Sequence, residues 1–569
     1  MKKTIKLDNK ILDFLKNKLK KLGHKDLKIK LVISLIFGIL TAGIGFYIFL
    51  PPINLMSEQF WIYLTAIIVA CSLPFISFNA GHVSITNKNG KVLKSYSAGS
   101  NKWVIVAVAI PVCVLVLGNI ISSTVFNARS YAKIINVKES VFAEDLPETT
   151  EITNIALMDT ESAKRLGNRT LGSLSSVISQ YTVSEEYTQI NYQNTPKKVA
   201  NLEYDDFFKW IGNRHKGIPG IVIVDPVNSS AEYMALDKPM HYVESAYFGE
   251  DLMRKIRFDY PTKIFNREDI SFEIDDEGNP YYIVSCFKPK VMVFGAYDVS
   301  EVIIFDPTDG SSEIYDVKDT PAWVDIVYDG YLASEKYNWF GTLSGGFINS
   351  IIGNVGCKQA TDDFGYVVLN DDVWYFTGVT SAVSNDKSNI GFILTNARTG
   401  EYKFYPVIGA EEHSAMAAAE GEVQEKGYVA SFPSLINVSG QATYIMVLKD
   451  DAGLVKLYAL VNVENYSIVA TGATQADAMS AYKKLLKQNN IETDDNSKET
   501  EITVENVRIA MVSDVATIYI TATDGSVYKG YLEADEALVL VRAGDTLKIR
   551  YSASDIERLY IISSWEFTD

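Results

Sequence analysis

Three uninterrupted apolar stretches open the chain, and a strand-like alternation fills most of the rest. Leu31–Leu50 is twenty residues without a charge, and Phe60–Phe78 and Trp103–Ile121 are nineteen each. About 20 apolar residues in a helix cross a ~30 Å hydrocarbon core, so three transmembrane helices are expected. Before them, Leu7, Ile11, Leu15, Leu19 and Leu22 stand near helical spacing among lysines. That segment reads either as an amphipathic helix on the inner leaflet or as a solvated basic tail. Between the second and third stretches, Val83–Ile85 and Val92–Leu93 flank Asn89-Gly90, which predicts a two-stranded hairpin.

Beyond residue 121 one pattern recurs: a hydrophobic strand, an Asp or Asn, a turn and an alternating strand. It occupies 222–233, 303–317, 392–407 and 459–472. Placing Asp306 on Asn396, a shift of 90, superposes Ile303 with Ile393, Gly310 with Gly400 and Tyr315 with Tyr405. A further strand precedes each unit, and helices are expected at 160–178, 205–213, 248–258, 321–333, 410–425 and 474–487. A run such as Val302-Ile303-Ile304-Phe305 is apolar at every position and needs cover on both faces. Each strand before Asp225, Asp306, Asn396 and Asn462 should therefore be central, with the residues after the turn pairing back. Adjacent units should share a core.

The layout that follows is an α+β body of repeated β-meander and helix units. Residues 1–30 form a basic cytoplasmic segment, 31–121 a membrane anchor with a cytoplasmic loop at 79–102, and 122–265 a first α+β unit. Further repeats fill 266–487, and polar 488–500 is a linker. The alternating strands of 501–569, with Asp524-Gly525 at one turn, predict a small all-β barrel, OB-like or SH3-like.

Charge adds an orientation. The net charge is −17, but residues 1–102 carry +11, leaving −28 for 103–569. Lys and Arg beside spans stay cytoplasmic, so the N-terminus and the 79–102 loop belong inside and 122–569 outside. The expected location is the cell membrane, with membrane lipid as a partner through the spans and the basic N-terminus. The acidic body argues against nucleic acid, and points to an envelope protein or a wall polymer instead.

Asn396-Ala397-Arg398-Thr399-Gly400-Glu401, following a hydrophobic strand, resembles the Asp-x-x-Thr-Gly-Glu strand ending of PepSY domains. The stretch 303–317 matches it in part. The whole layout, through 155–169, 202–210 and 389–401, resembles a set of large bacterial membrane proteins without an assigned role. The resemblance covers about 150–480. It implies PepSY-like binding or inhibitory modules, often extracytoplasmic and associated with peptidases or wall functions, and supplies no catalytic residue.

No catalytic, cofactor or metal motif stands out. His215, His241 and His413 have no metal-ligand spacing, and no G-x-S-x-G elbow marks a nucleophile. The Gly-rich 341–356 lacks the ending of a phosphate loop and reads as a loop or short helix packed on the core. Asp275-Asp276-Glu277 and Asp306/Asp309 read as solvated turns rather than as Ca²⁺ loops. Cys286 and Cys357 either bridge or stay two separately buried thiols. Two cationic clusters remain as a candidate anion or partner site: Arg214-His215-Lys216, and Arg254, Lys255, Arg257 with Lys263. The leading function is a membrane-anchored extracytoplasmic binding or scaffolding protein without chemistry of its own. A regulator or inhibitor of a membrane or cell-wall peptidase, and an unrecognised hydrolase, are the alternatives.

Overall fold

The computed structural model describes residues 27–79, 85–86, 92–94, 102–149, 155–174, 179–382, 388–489, 491, 498–512, 515–532, 535–553 and 558–568. The amphipathic segment and most of the linker lie outside these residues. The described helices include α1 (Leu27–Phe49), α2 (Glu58–Asn79), α3 (Lys102–Ser122), α4 (Thr160–Gly172), α5 (Phe207–Asn213), α6 (Leu252–Asp259), α7 (Gly330–Leu343), α8 (Glu412–Glu422) and α9 (Gln475–Gln488). The chain divides into two units. One comprises 1–127, 248–267 and 286–298, and the other 128–247, 268–285 and 299–569.

In the first unit α2 packs beside both α1 and α3. The Tyr63 hydroxyl donates to the Ala42 carbonyl at 2.5 Å. Gly38 lets the helices approach, since a Cβ there would sit 2.0 Å from Cys71 Sγ. Two helical stretches, Val32–Phe49 and Val104–Ser122, are long and apolar enough to cross a membrane. The expectation of three is corrected to two: the described apolar part of α2, Glu58–Leu73, is shorter, and it opens on a carboxylate. Strands β1 (Ile85–Thr86) and β2 (Val92–Lys94) form the expected hairpin.

The end of the helices at which α1 finishes, α2 starts and α3 finishes is held by the other two segments of this unit. Asn54 Nδ2 donates to the Thr262 carbonyl at 2.8 Å, and the Tyr297 hydroxyl to the Met56 carbonyl at 2.7 Å. Ser122 Oγ accepts from Phe294 N at 3.0 Å. The centre of the clasp is Arg257 on α6, fully buried, whose guanidinium donates to the carbonyls of Leu50 (2.9 Å), Phe265 (2.8 Å) and Lys263.

The second unit is built on mainly antiparallel sheets. Short β3 (Val137–Glu139) precedes β4 (Tyr181–Val183), β5 (Thr188–Tyr192), β6 (Thr195–Tyr204), β7 (Ile218–Asp225) and β8 (Ser230–Met240). These last five make a sheet ordered β4-β6-β7-β8, with β5 also on β6. Strands β9 (Ile270–Ile274), β10 (Pro280–Val291), β11 (Gly295–Phe305) and β12 (Ser312–Asp316) follow as a meander, of which 286–298 belongs to the first unit. The third sheet holds β13 (Lys358–Ala360), β14 (Gly365–Leu369), β15 (Asp372–Ser381), β16 (Ser388–Asn396), β17 (Tyr402–Tyr405) and β18 (Gly409–Ala410). Both β13 and β14 pair with β15, and β3 pairs with β17. The fourth holds β19 (Val429–Ala430), β20 (Ser434–Val438), β21 (Gln441–Lys449), β22 (Val455–Asn462) and β23 (Val469–Gly472), again with two short strands on one long one.

The repeat register is therefore as the sequence pattern requires. Strands β7, β11, β16 and β22 each lie between two neighbours, and the residues after each turn return antiparallel: Asp225 opposite Ser230, Phe305 opposite Ser312, Thr395 opposite Tyr402, Val461 opposite Val469. Each Asp or Asn closes its own turn. Asp225 Oδ1 accepts from Val227 N at 2.9 Å, Asp306 Oδ1 from Thr308 N at 2.7 Å, Asn396 Oδ1 from Thr399 N at 2.8 Å, and Asn462 Oδ1 from Asn465 N at 2.7 Å. Val302, Ile303, Ile304 and Phe305 are all buried. The third and fourth sheets share one core, with Phe376, Phe392 and Leu394 packed with Tyr444, Met446 and Val461 beneath α8.

Two expectations fail locally. The helix expected at 321–333 starts at Gly330 instead, capped by Asp329, which accepts from Tyr331 N at 2.8 Å and Leu332 N at 3.0 Å. The amides that would start it earlier are held elsewhere. Asp325 N and Ile326 N donate to Glu273 at 2.8 and 2.9 Å, and Val327 N to the Ala397 carbonyl at 3.0 Å. The Gly-rich loop is not packed on the core either. Asn349 ties it to itself, with Nδ2 on the Val355 carbonyl at 3.0 Å and Oδ1 accepting from Val355 N at 3.1 Å, and Ile348, Ile351, Ile352 and Val355 point outward.

Strands β24 (Lys498–Val512), β25 (Val515–Ala522), β26 (Val527–Tyr531), β27 (Thr546–Ala553) and β28 (Leu559–Phe567) close a barrel in the order β24-β25-β26-β28-β27. Its core is Ile502, Ile518, Ile520, Leu547 and Ile549. Lys529 Nζ, 3.0 Å from the Asp477 carboxylate on α9, fastens the barrel to the helix before it through a buried ion pair.

Candidate binding cavity

The short strands that sit second in their repeats, β5, β14 and β20, are each paired on one side only within their sheets. An edge strand leaves a row of backbone groups unpaired. Here β14 lies beside β20, and β5 beside β15 and β9. Between them is a cavity of about 130 Å³. Tyr366–Leu369 of β14 and Ser434–Asn437 of β20 form two walls, Gln189 and Pro196 of the first sheet a third, and Leu146, Pro147, Thr149, Ile155 and Ala156 the remainder.

Most of the lining residues are apolar, and two of the polar ones are buried amides. Gln189 is 2% and Asn437 3% exposed. Gln189 Nε2 donates to the Lys197 carbonyl at 3.1 Å, and Asn437 Nδ2 to the Leu146 carbonyl at 2.9 Å. That leaves Gln189 Oε1 and Asn437 Oδ1 as buried acceptors without a donor among the described residues. Gln189 opposes Lys198 and Asn191 opposes Pro196 in the β5–β6 register, so all four share a face. Asn191 Oδ1 is also without a partner among the described residues.

Lys198 stands at the edge of this site. It is 3% exposed, its Nζ lies 3.2 Å from Thr160 Oγ1 and 5.1 Å from the centroid of the Tyr366 ring. Burial pulls its ammonium down to about 8, against the opposing pull of the Asp159 carboxylate. Asp159 is itself shared, since it caps α4 by accepting from Ser162 N at 2.7 Å and pairs with Lys449. Beyond Asn191 lies a second buried group, Glu273 and Asp325. Asn191 N donates to Asp325 Oδ2 at 2.7 Å, and burial pushes both carboxyls up, Glu273 to about 7.

The cations singled out in the sequence fall into two sets. Arg254, Lys255, Arg257 and Lys263 lie on or just after α6 in the first unit, and Arg214, His215 and Lys216 follow α5 in the second. Arg257 is committed to the carbonyls named above. Arg254 lies 4.3 Å from the Tyr47 ring centroid and donates to the Phe248 carbonyl at 2.6 Å, and Lys255 pairs with Asp259. Arg214 stacks on Trp210 at 4.9 Å, and its carbonyl is 3.1 Å from His241 Nδ1. Lys263 contributes its carbonyl to Arg257. Cys286 and Cys357 are two separate buried thiols. The Asp275 carboxylate closes its own turn, accepting from Asn279 N at 2.7 Å.

Reading for charge and motifs passes over the cavity because its polar atoms are side-chain amides. The available signal is a carboxamide inside a short apolar strand, as in 188–192 (TQINY) and 434–438 (SLINV).

No protein-family model matches the chain, and no curated protein matches it. Among solved structures it has a likeness to an ancestral GH74 enzyme at 9% identity and a TM-score of 0.15, over 60% of this chain and 40% of that one. A mutant GH32 beta-fructofuranosidase of Bombyx mori in complex with sucrose is matched at 10% identity and a TM-score of 0.17, over 71% of this chain and 70% of that one. The chain thus spans two fifths of the first of these, and at such TM-scores neither likeness carries an argument.

Proposed function

We propose that this is a membrane-anchored extracytoplasmic binding or scaffolding protein of the cell envelope. The observation that carries the reading is the first unit, in which α1 ends, α2 begins and α3 ends on one side and are gripped there by 248–267 and 286–298. The reading puts the N-terminus and the chain beyond Ser122 on opposite sides of the membrane. The charge agrees with it, +11 in 1–102 against −28 afterwards.

The body supports binding rather than one committed chemistry. Each repeat has a helix before its meander and an Asx-type turn ending a central strand, which favours PepSY-like modules. In the barrel the third strand runs parallel to the fifth, Val527 opposite Leu559, and that order favours the OB over the SH3 arrangement. A regulator of an envelope peptidase is the second reading, resting on the same PepSY-like turn at Asn396–Glu401.

The test is protease accessibility. In intact cells stripped of any wall, added protease should digest the region beyond Ser122 and spare the Lys-rich 79–102 loop. A protected body with an accessible loop would overturn the orientation.

A further inference from the structure

The Gly-rich loop after α7 leaves apolar surface in water that the rest of the fold does not account for. Ile348, Ile351, Ile352 and Val355 are between 60% and 79% exposed. They fall within 341–356, sixteen residues without a charge in a body of net −28. An exposed cluster of large aliphatic side chains marks a surface that something apolar covers.

The polar groups of the loop indicate the kind of cover. Asn349 spends both ends of its amide on Val355, and its carbonyl accepts from Asn354 N at 2.7 Å. Ser350 N donates to the Gly346 carbonyl at 3.2 Å and Gly346 N to the Leu343 carbonyl at 2.9 Å. The hydroxyls of Ser350 and Thr342 turn back onto the Phe347 (2.8 Å) and Asn338 (2.5 Å) carbonyls. These groups are thus used inside the loop while the aliphatic side chains face out. An added strand would need open backbone donors and acceptors, and a protein interface would bring a polar rim. Lipid requires the opposite, a backbone satisfied from within.

The attachment of the loop points the same way. Trp339 of α7 packs edge-on against Tyr131 at 5.2 Å, and Tyr337 and Phe340 pack with Ile135 and Val137. The chain that emerges from α3 therefore runs against α7. Tyr131 is nine residues beyond Ser122, where the apolar Val104–Ser122 stretch ends, a tether of about 30 Å at full extension. The loop also has no carboxylate for anionic headgroups to repel.

We propose that 344–356 is a membrane-inserting finger, whose Ile348, Ile351, Ile352 and Val355 enter the headgroup–acyl boundary of the bilayer that holds the chain's own spans, to a depth of about 5–10 Å. The inference rests on the membrane anchoring proposed above and not on which side the body occupies. It gives the second unit a hold on the bilayer besides the spans.

The experiment uses the full-length protein in liposomes of phosphatidylcholine and phosphatidylglycerol. Ile352→Cys, on a background without the four native cysteines, carries an environment-sensitive maleimide dye. Cys113 of α3, retained alone, is the control for the span, and Leu454→Cys, an exposed aliphatic position elsewhere, the control for water. Emission at 352 should lie to the blue of that at 454, be lost to lipid carrying a nitroxide near the top of its acyl chain, and resist iodide in the buffer. Adding Ile348→Asp and Ile351→Asp should reverse all three. If removing the buried Cys286 and Cys357 unfolds the chain they stay, because a bulky maleimide does not reach a buried thiol. Quenching at 352 by iodide and not by lipid would overturn the proposal. Protection from both quenchers would also overturn it, since a second copy or another protein would then cover the loop. Absence of lipid quenching at Cys113 would overturn the anchoring and this inference with it, whereas lipid quenching at Cys113 without any at 352 would overturn this inference alone.

Discussion

Glu412 is the first residue of α8 and only 1% exposed, in the core shared by the third and fourth sheets. One carboxylate oxygen accepts from Gly378 N at 2.5 Å. Gly378 is small for this reason: a Cβ there would come within 3.0 and 3.1 Å of the two oxygens. Burial raises the carboxyl from its ordinary 4.5 to about 7, outweighing the Gly378 hydrogen bond that lowers it. Between those values the folded chain holds a proton that the unfolded chain has released, so stability falls as pH rises. The contribution is intact below about 4.5 and lost once pH passes about 7. At 1.36 kcal/mol per pKa unit, the whole effect is about 3 kcal/mol. Glu412→Gln removes the titration while keeping the shape and the acceptor for Gly378 N. The variant should match wild type near pH 4.5 and exceed it by up to about 3 kcal/mol at pH 8. The measurement is the urea midpoint across that range, read by the fluorescence of buried Trp374 in the same core. A variant that follows the wild-type pH course, or is weaker at pH 8, would refute the reasoning.

Two further perturbations test the packing. Arg257→Met would strip donors from the Leu50, Lys263 and Phe265 carbonyls. At about 1–3 kcal/mol for each orphaned group, limited proteolysis should then cut within 248–267; Arg257→Lys should not rescue it, because an ammonium cannot reproduce the planar fork, and protection equal to wild type in either variant would count against the clasp. Ile304→Asp places a charge in a strand buried on both faces, which costs several kcal/mol; calorimetry should show the sheets of the second unit melting lower together, and a loss confined to one transition would mean independent units.

Much of the repeat was legible because its cause is local. An Asp or Asn that bonds its own turn, as Asp225, Asp306, Asn396 and Asn462 do, needs only neighbours two or three residues away. Asp159, Asp206 and Thr474 cap their helices for the same reason. The helix at 321–333 was misread because its first amides are bound by Glu273 and Ala397, residues 52 and more positions distant. The apolar residues of the Gly-rich loop were read as core because hydrophobicity records what a residue prefers, and the Asn349 bonds decide where it points.

The cavity illustrates a different limit. Each of its walls is a short strand of ordinary composition, and nothing within 188–192, 365–369 or 434–438 marks the strand as an edge facing two others. The strand pairing makes the arrangement intelligible: β5, β14 and β20 are each attached to a long strand on one side only. Packing the repeats brings those open edges together, because no edge can be buried against an apolar face without stranding its backbone groups. Polar side chains then accumulate where the edges meet, and the orphaned oxygens of Gln189, Asn191 and Asn437 are the result. A fold arranged in this way carries a recess where its short strands meet. That is why the recess, rather than a motif in any single repeat, is where a binding function should be sought.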